Sequence, residues 1–391
     1  MQTQKKKLEF PNVPVKFPGR FPEGHVNDVK GWNFSQKELT EAAGGGRMLT
    51  MDLDMGGGLN CSLRCGHCIN KELRPMLEQG DLLSGEEVKR VVMEAKALGL
   101  RSVKIIGPGE PLEERSLLAF LDFLAGNGIT PLIFTKATAL GMDSMARKIH
   151  GMKPDMLARR LREYDVSILF GATSFQPETE AMIVGQKWYP RARNRAMERL
   201  VDAGFNDFVP GQPTSLAVIF NPITRLNVDE AFDFYAWARV RHIYVVSSPT
   251  MITGPCAREE AYRRMTPPES ELLDLYVKIN LWAIGRGIVT VNELAREGIA
   301  AYAGARPCQQ VGAGLFVRRD GLALRCPGDG VSIQGNVRER GLADIWRSSE
   351  NYSRYLGMIN VGCPPKLGKS IPEGFLEKVL DTVRERLRGR T

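Results

Sequence analysis

The segment Gly56-Gly57-Gly58-Leu59-Asn60-Cys61-Ser62-Leu63-Arg64-Cys65-Gly66-His67-Cys68 constrains this chain more than any other. It packs three of the seven cysteines into eight residues. A secreted disulfide framework is shorter and denser in cysteine, so tight spacing here points to metal or redox chemistry. Three thiolates spaced C-x3-C-x2-C in a loop can grip three irons of a cubane and leave the fourth iron open. A structural zinc site wants four ligands, and His67, lying between two cysteines, is awkwardly placed to be one. Unrelated core thiols would not sit in a glycine-rich polar loop.

At 391 residues, 43% hydrophobic and 25% charged, the chain can bury one large domain and a smaller one. No apolar run reaches the roughly 18 residues of a membrane span. The Lys5-Lys6-Lys7 start is followed by a proline-rich stretch rather than a signal-peptide core, which gives a cytoplasmic reading. The net charge is +8, but Lys and Arg cluster only at Lys5–Lys7 and between Arg384 and Arg390. That pattern reads as solvated surface, and neither a nucleic-acid partner nor a membrane is expected.

Residues 1–47, with Pro11, Pro14, Pro18 and Pro22, read as an extended arm. Strands are expected at Met48–Asp54, Ser102–Gly107, Thr130–Thr135, Asp165–Ser174, Ser215–Phe220 and His242–Ser247. Helical patterns lie between them. Ser84-Gly-Glu-Glu87 is a capping box, Gly99 closes its helix, and further helices are expected near Tyr189–Ala203 and over residues 228–240. Strand–helix repeats imply an α/β fold: a partial (β/α)6 TIM-like barrel over residues 48–250, with its site at the C-terminal strand ends. Beyond residue 250, residues 268–298 look helical. Leu315–Arg318 and Leu322–Arg325 flank an Asp320-Gly321 turn, a helix is expected near Leu342–Tyr355, and a last one opens at Ser370-Ile-Pro-Glu373.

The cysteine loop resembles that of the radical S-adenosylmethionine (SAM) superfamily, C-x3-C-x-aromatic-C after the first barrel strand, with His67 at the aromatic position. The resemblance covers roughly residues 48–250. It implies that Cys61, Cys65 and Cys68 hold a [4Fe-4S] cluster whose free iron binds SAM. It further implies that one electron splits SAM to methionine and a 5′-deoxyadenosyl radical. His67 would pack on adenine. Gly107-Pro-Gly109-Glu110 resembles the family segment that holds the SAM amino group. Ser174-Phe-Gln176 resembles its ribose-binding stretch, with Asn227 a further candidate. The bland alternatives are a solvated turn for Glu110 and helix capping for Ser174.

Cys308, Cys326 and Cys363, with Gly321 and the Gly335-Asn336-Val337 to Trp346 run, resemble the SPASM extension of such enzymes or its shorter relative, the twitch domain. This resemblance implies a small α+β domain, set at residues 251–366 and followed by a C-terminal helix over 367–391. It implies at most one auxiliary [4Fe-4S] cluster. Cys256 has three readings: fourth ligand of that cluster, hydrogen-atom donor to a substrate radical, or inert buried thiol. The chemistry implied is dehydrogenation or epimerisation of a small polar substrate such as a sugar, aminocyclitol or nucleoside, with a flavodoxin or ferredoxin as electron donor. Ribosomal-peptide modification is the alternative. It is disfavoured because the 47 residues before the barrel do not read as a winged recognition fold. RNA modification is a lesser one. No general base is assignable from sequence.

Overall fold

A computed structural model describes residues 9–55, 61–71, 73–253, 257, 260 and 265–389. Its nine strands form one sheet: β1 Thr50–Leu53, β2 Ser102–Ile105, β3 Thr130–Thr135, β4 Ser167–Gly171, β5 Leu216–Ile223, β6 Tyr244–Pro249, β7 Gly314–Val317, β8 Leu322–Leu324 and β9 Ile333–Asn336. The spatial order is β6-β5-β4-β3-β2-β1-β7-β8-β9. Neighbours from β6 to β1 pair in parallel, as a partial barrel with crossover helices requires. The helix leading into β2, Gly85–Ala97, has both arms of the Ser84–Glu87 capping box and buries Val88, Val91, Val92 and Ala95.

Strand alternation sorts the side chains into two environments. Met51, Leu53, Val103, Ile105, Ile168, Phe170, Val218 and Phe220 belong to the main core, shared with the helices. The alternate residues Leu132, Leu169, Ala217, Tyr244 and Val246 pack around Trp32 in a second apolar cluster, which marks the barrel interior. On β1 and β2 that interior register carries Thr50, Asp52, Ser102 and Lys104, all buried.

The C-terminal hairpin continues this sheet instead of standing apart from it. Thr50–Leu53 pairs in parallel with Gly314–Val317, and β8 and β9 follow antiparallel. The N-terminal arm differs from a purely extended one. Ser35 and Glu38 form a capping box that opens a helix at Gln36–Gly44, and Trp32 is buried beside Phe134, with ring centroids 5.6 Å apart. Gly287 (φ 76°) ends Glu269–Arg286, so the stretch expected over 268–298 splits, and a third capping box, Thr290 with Glu293, starts Val291–Glu297. The helix expected over Leu342–Tyr355 ends at Ser348, where Ser349 turns extended (ψ 154°), and a π-helical turn follows at Asn351–Tyr355. Among the described residues, no helix is long and apolar enough to cross a membrane.

The β1–β7 pairing is close. A Cβ on Gly314 would lie 1.8 Å from the Thr50 carbonyl oxygen. Gly314→Ala is expected to cost about 3 kcal/mol, read as a lower urea midpoint, because the strands must separate to admit a methyl group. Gly126→Ala, whose Cβ would meet nothing within 4 Å, should not lower it. An unchanged midpoint for Gly314→Ala would contradict the pairing.

Candidate active site

The cysteine loop is pinned on three sides. Ser62 donates to Glu113 through its amide (3.0 Å) and its hydroxyl (2.5 Å), and Gln186 donates to the Ser62 carbonyl at 2.8 Å. The Arg64 amide donates to Val184 O at 2.9 Å, and Leu63 packs against Val184 and Tyr189. Asn70 donates to Gly107 O (3.1 Å) and Arg74 to Pro108 O (2.6 Å), which ties the loop to the segment after β2. Arg74 also donates to the Cys68 sulfur at 3.4 Å. Burial pushes the Cys61 thiol up to about 12 and the Cys65 thiol up to about 11. Such thiols ionise only when a metal takes the place of the proton. Burial and Lys136 hold His67 down at about 3, so its imidazole is neutral.

Gly107, Gly109 and Glu110 line the same cavity as Cys61, Cys65, His67 and Cys68. Glu110 is buried and accepts from Leu112 N (3.2 Å), Lys136 N (2.8 Å) and the Thr135 hydroxyl. The solvated-turn reading of Glu110 therefore does not describe it. Ser174, Gln176 and Asn227 are not among the residues lining this cavity. The Ser174 hydroxyl donates to Glu230, and its amide donates to Glu180 at 2.7 Å. The Gln176 amide donates to Ser174 Oγ (3.0 Å). Asn227 donates to Thr173 O (2.6 Å) and accepts from Thr224 N (2.6 Å). These groups brace the loops after β4 and β5.

Cys308, Cys326 and Cys363 come together from distant sequence and line the cavity too. Cys308 precedes β7, and the antiparallel β8 returns the chain so that Cys326 follows at the same end of the hairpin. Because β7 runs parallel to β1, that end is opposite the one from which the first cysteine loop leaves. The two thiol groups thus flank the interior across the four-residue β1, roughly 13 Å long. Tyr302 sits among the C-terminal thiols: burial, then Cys363, Cys308 and Cys326, raise its phenol well above the usual range. Cys256 lies outside the described residues.

Sequence reasoning missed the charged groups between the two thiol sets. Asp52 and Lys104 are register partners on β1 and β2, and both line the cavity. Lys104 Nζ donates to Gln310 Oε1 (2.8 Å) and Thr50 Oγ1 (3.1 Å), and it lies 5.1 Å from the Trp32 ring. Asp52 Oδ1 is buried without a partner. The usable signal was a charge in mid-strand with apolar neighbours on both sides. Lys136 also lines the cavity, with its Nζ unpartnered and 3.8 Å from Glu180 Oε1.

Among the described residues, no three His, Cys, Asp or Glu side chains converge as one metal ion requires. Three thiols from one loop, Cys61, Cys65 and Cys68, facing a single cavity are the donor chemistry that holds three irons of a cubane.

Burial raises Asp52 to about 7 against the pull of Lys104. A carboxyl raised above its unfolded value favours the fold while protonated and opposes it once ionised. Asp52→Asn is therefore expected to unfold at higher urea than the parent at pH 8. The gap should narrow as pH falls from about 7 toward 4. A gap independent of pH would contradict the buried carboxyl.

Residues 57–235 match the family model described as the radical SAM superfamily. A GTP 3',8-cyclase of Geobacter sulfurreducens is 37% identical over 76 residues, covering 19% of this chain and 23% of that protein. One from Heliobacterium modesticaldum is 26% identical over 183 residues, covering 44% of this chain and 47% of its own. The chain thus matches less than half the length of these curated relatives. Among solved structures, Streptococcus suis SuiB bound to precursor peptide SuiA has a TM-score of 0.56 at 13% identity, over 85% of this chain and 76% of that one. The histidine-tagged anSMEcpe with bound AdoMet has a TM-score of 0.57 at 11% identity, over 88% and 94%. At such identities the likeness is one of fold. Strand order, cysteine loop and family match agree: the chain carries a radical SAM domain.

Proposed function

We propose that this radical SAM enzyme abstracts a hydrogen atom from a small polar substrate held between two iron–sulfur centres. One observation carries the reading: all six described cysteines line a single cavity, with Asp52 and Lys104 between the two groups. A [4Fe-4S] cluster on Cys61, Cys65 and Cys68, when bound, supplies the electron that splits SAM into methionine and a 5′-deoxyadenosyl radical. Glu110 takes the SAM amino group: a carboxylate has about four acceptor sites, and the protein fills three of them. The Lys136 ammonium is placed for the SAM carboxylate, and His67 packs its neutral ring on adenine. Ser174, Gln176 and Asn227 stand on the loops after β4 and β5 as further candidates for the SAM ribose, where they hydrogen-bond within the protein.

Residues 251–366 make up the auxiliary-cluster region in this reading. Cys308, Cys326 and Cys363 are its ligands, and Cys256 is either the fourth ligand or a hydrogen donor. Asp52 accepts a hydrogen bond from a substrate hydroxyl or amine, while Lys104, held by Gln310 and Thr50, keeps that carboxylate beside a positive charge. Dehydrogenation suits such a site, since Asp52 can take the hydroxyl proton and the second centre the electron. The relatives named GTP 3',8-cyclase act, by name, on a nucleotide, which supports the nucleoside member of the substrate class. A flavodoxin or ferredoxin completes the scheme as electron donor.

The test is 5′-deoxyadenosine formation by the anaerobically reconstituted protein with SAM and dithionite. Formation is expected in the parent and not in Cys68→Ala. It should accelerate with a nucleoside, aminocyclitol or sugar, and Asp52→Asn should lose most of that acceleration, roughly tenfold or more for one charge-assisted hydrogen bond. Absence of 5′-deoxyadenosine from the parent would overturn the enzyme reading, and acceleration only by peptides would overturn the substrate class.

A further inference from the structure

Lys366 is fully buried, and its Nζ has no hydrogen-bond partner. Its position is fixed by the turn after Cys363: the Lys366 amide donates to Cys363 O at 2.8 Å, and the Leu367 amide does so at 2.9 Å. The Lys366 Nζ stands 4.0 Å from the centroid of the Tyr302 ring. Burial lowers the Lys366 ammonium from the usual lysine range, and the sulfurs of Cys363, Cys308 and Cys326 oppose that shift. The same three sulfurs act on the Tyr302 phenol.

Burying an ammonium without a counter-charge is unfavourable. The cation–π contact with Tyr302 offsets only part of that cost. Neutral thiols would not make it good. Thiolates bound to an iron–sulfur core would, because that assembly is anionic and becomes more so on reduction. Among the described residues, no carboxylate hydrogen-bonds to or pairs with the Lys366 ammonium. By contrast, Lys104 is held by two hydrogen bonds and lies beside Asp52.

We propose that Lys366 is the built-in counter-ion of an iron–sulfur centre held by Cys308, Cys326 and Cys363, and that its charge sets the reduction potential of that centre. The inference rests on the auxiliary-cluster reading. It makes Lys366 a positioning and tuning residue, because it acts on the centre through charge and supplies no ligand. A fixed positive charge favours the more negative, reduced form, so it raises the potential. Lys366→Met removes the charge while keeping the length of the chain, and Lys366→Arg keeps the charge.

The test isolates the second centre by replacing Cys61, Cys65 and Cys68 with alanine, then reconstituting anaerobically with iron and sulfide. Reductive titration followed by electron paramagnetic resonance reads the midpoint potential directly. Lys366→Met is expected to shift the midpoint to more negative potential, and Lys366→Arg to return it toward the parent. Equal midpoints in all three proteins would overturn the role of Lys366 while leaving the centre intact. Failure of the triple-alanine parent to retain any iron–sulfur signal would overturn the centre itself, a distinguishable outcome. If Lys366→Met retains no iron, Lys366→Gln decides by the same midpoint: a negative shift supports the counter-ion, and an unshifted value overturns it.

Discussion

The parallel pairing of β1 with β2 on one side and β7 on the other is what everything else depends on. It places a strand from the start of the chain between the barrel and the C-terminal hairpin. One cysteine loop leaves at the end of β1, and Cys308 enters at the start of β7. The register that buries Met51 and Leu53 against the helices turns Asp52 inward. With a side-chain period of two, a slip of one residue would exchange those faces. The same register therefore fixes the core, the polar pair and the spacing of the two thiol groups.

Several buried groups around the cavity lack hydrogen-bond partners: Asp52 Oδ1, Lys366 Nζ, and Lys136 Nζ and Glu180 Oε1, which face each other at 3.8 Å. Each costs free energy that apolar packing elsewhere must offset. The main core supplies it, from Val88, Val91 and Val92 on the first crossover helix to Val103 and Ile105 on β2. Departures from local satisfaction that gather at one place are the pattern expected of a site shaped for ligands. SAM carries an ammonium and a carboxylate, and a cluster carries negative charge. In the proposed arrangement SAM meets Lys136, substrate meets Asp52 and an iron–sulfur centre meets Lys366.

Features set by a few neighbouring residues were legible in the sequence. The cysteine loop, the Ser84–Glu87 capping box, the six barrel strands and the Asp320-Gly321 turn depend on local chemistry, and each appears at its expected place. Features set by distant contacts were not. Nothing in Gly314–Val317 names β1 as its partner, and the path that buries Trp32 is held by a bond from Lys30 N to Thr214 O. Asp52 and Lys104 were missed: a charge in mid-strand was there to be read, but only closure of the sheet says which face is inside. Ser174 and Asn227 stand at strand ends, as the resemblance required. Their polar atoms bond to Glu230, Thr173 and Thr224, partners that position along the chain does not name.

The most direct measurement is iron and sulfide content after anaerobic reconstitution, in the parent and in the variant with Cys61, Cys65 and Cys68 replaced by alanine. Two centres of the [4Fe-4S] type predict about eight irons in the parent and about four in the variant. About four irons falling to none would contradict the account: the thiols of Cys308, Cys326 and Cys363 would hold no cluster, and the cavity would have a single iron–sulfur centre.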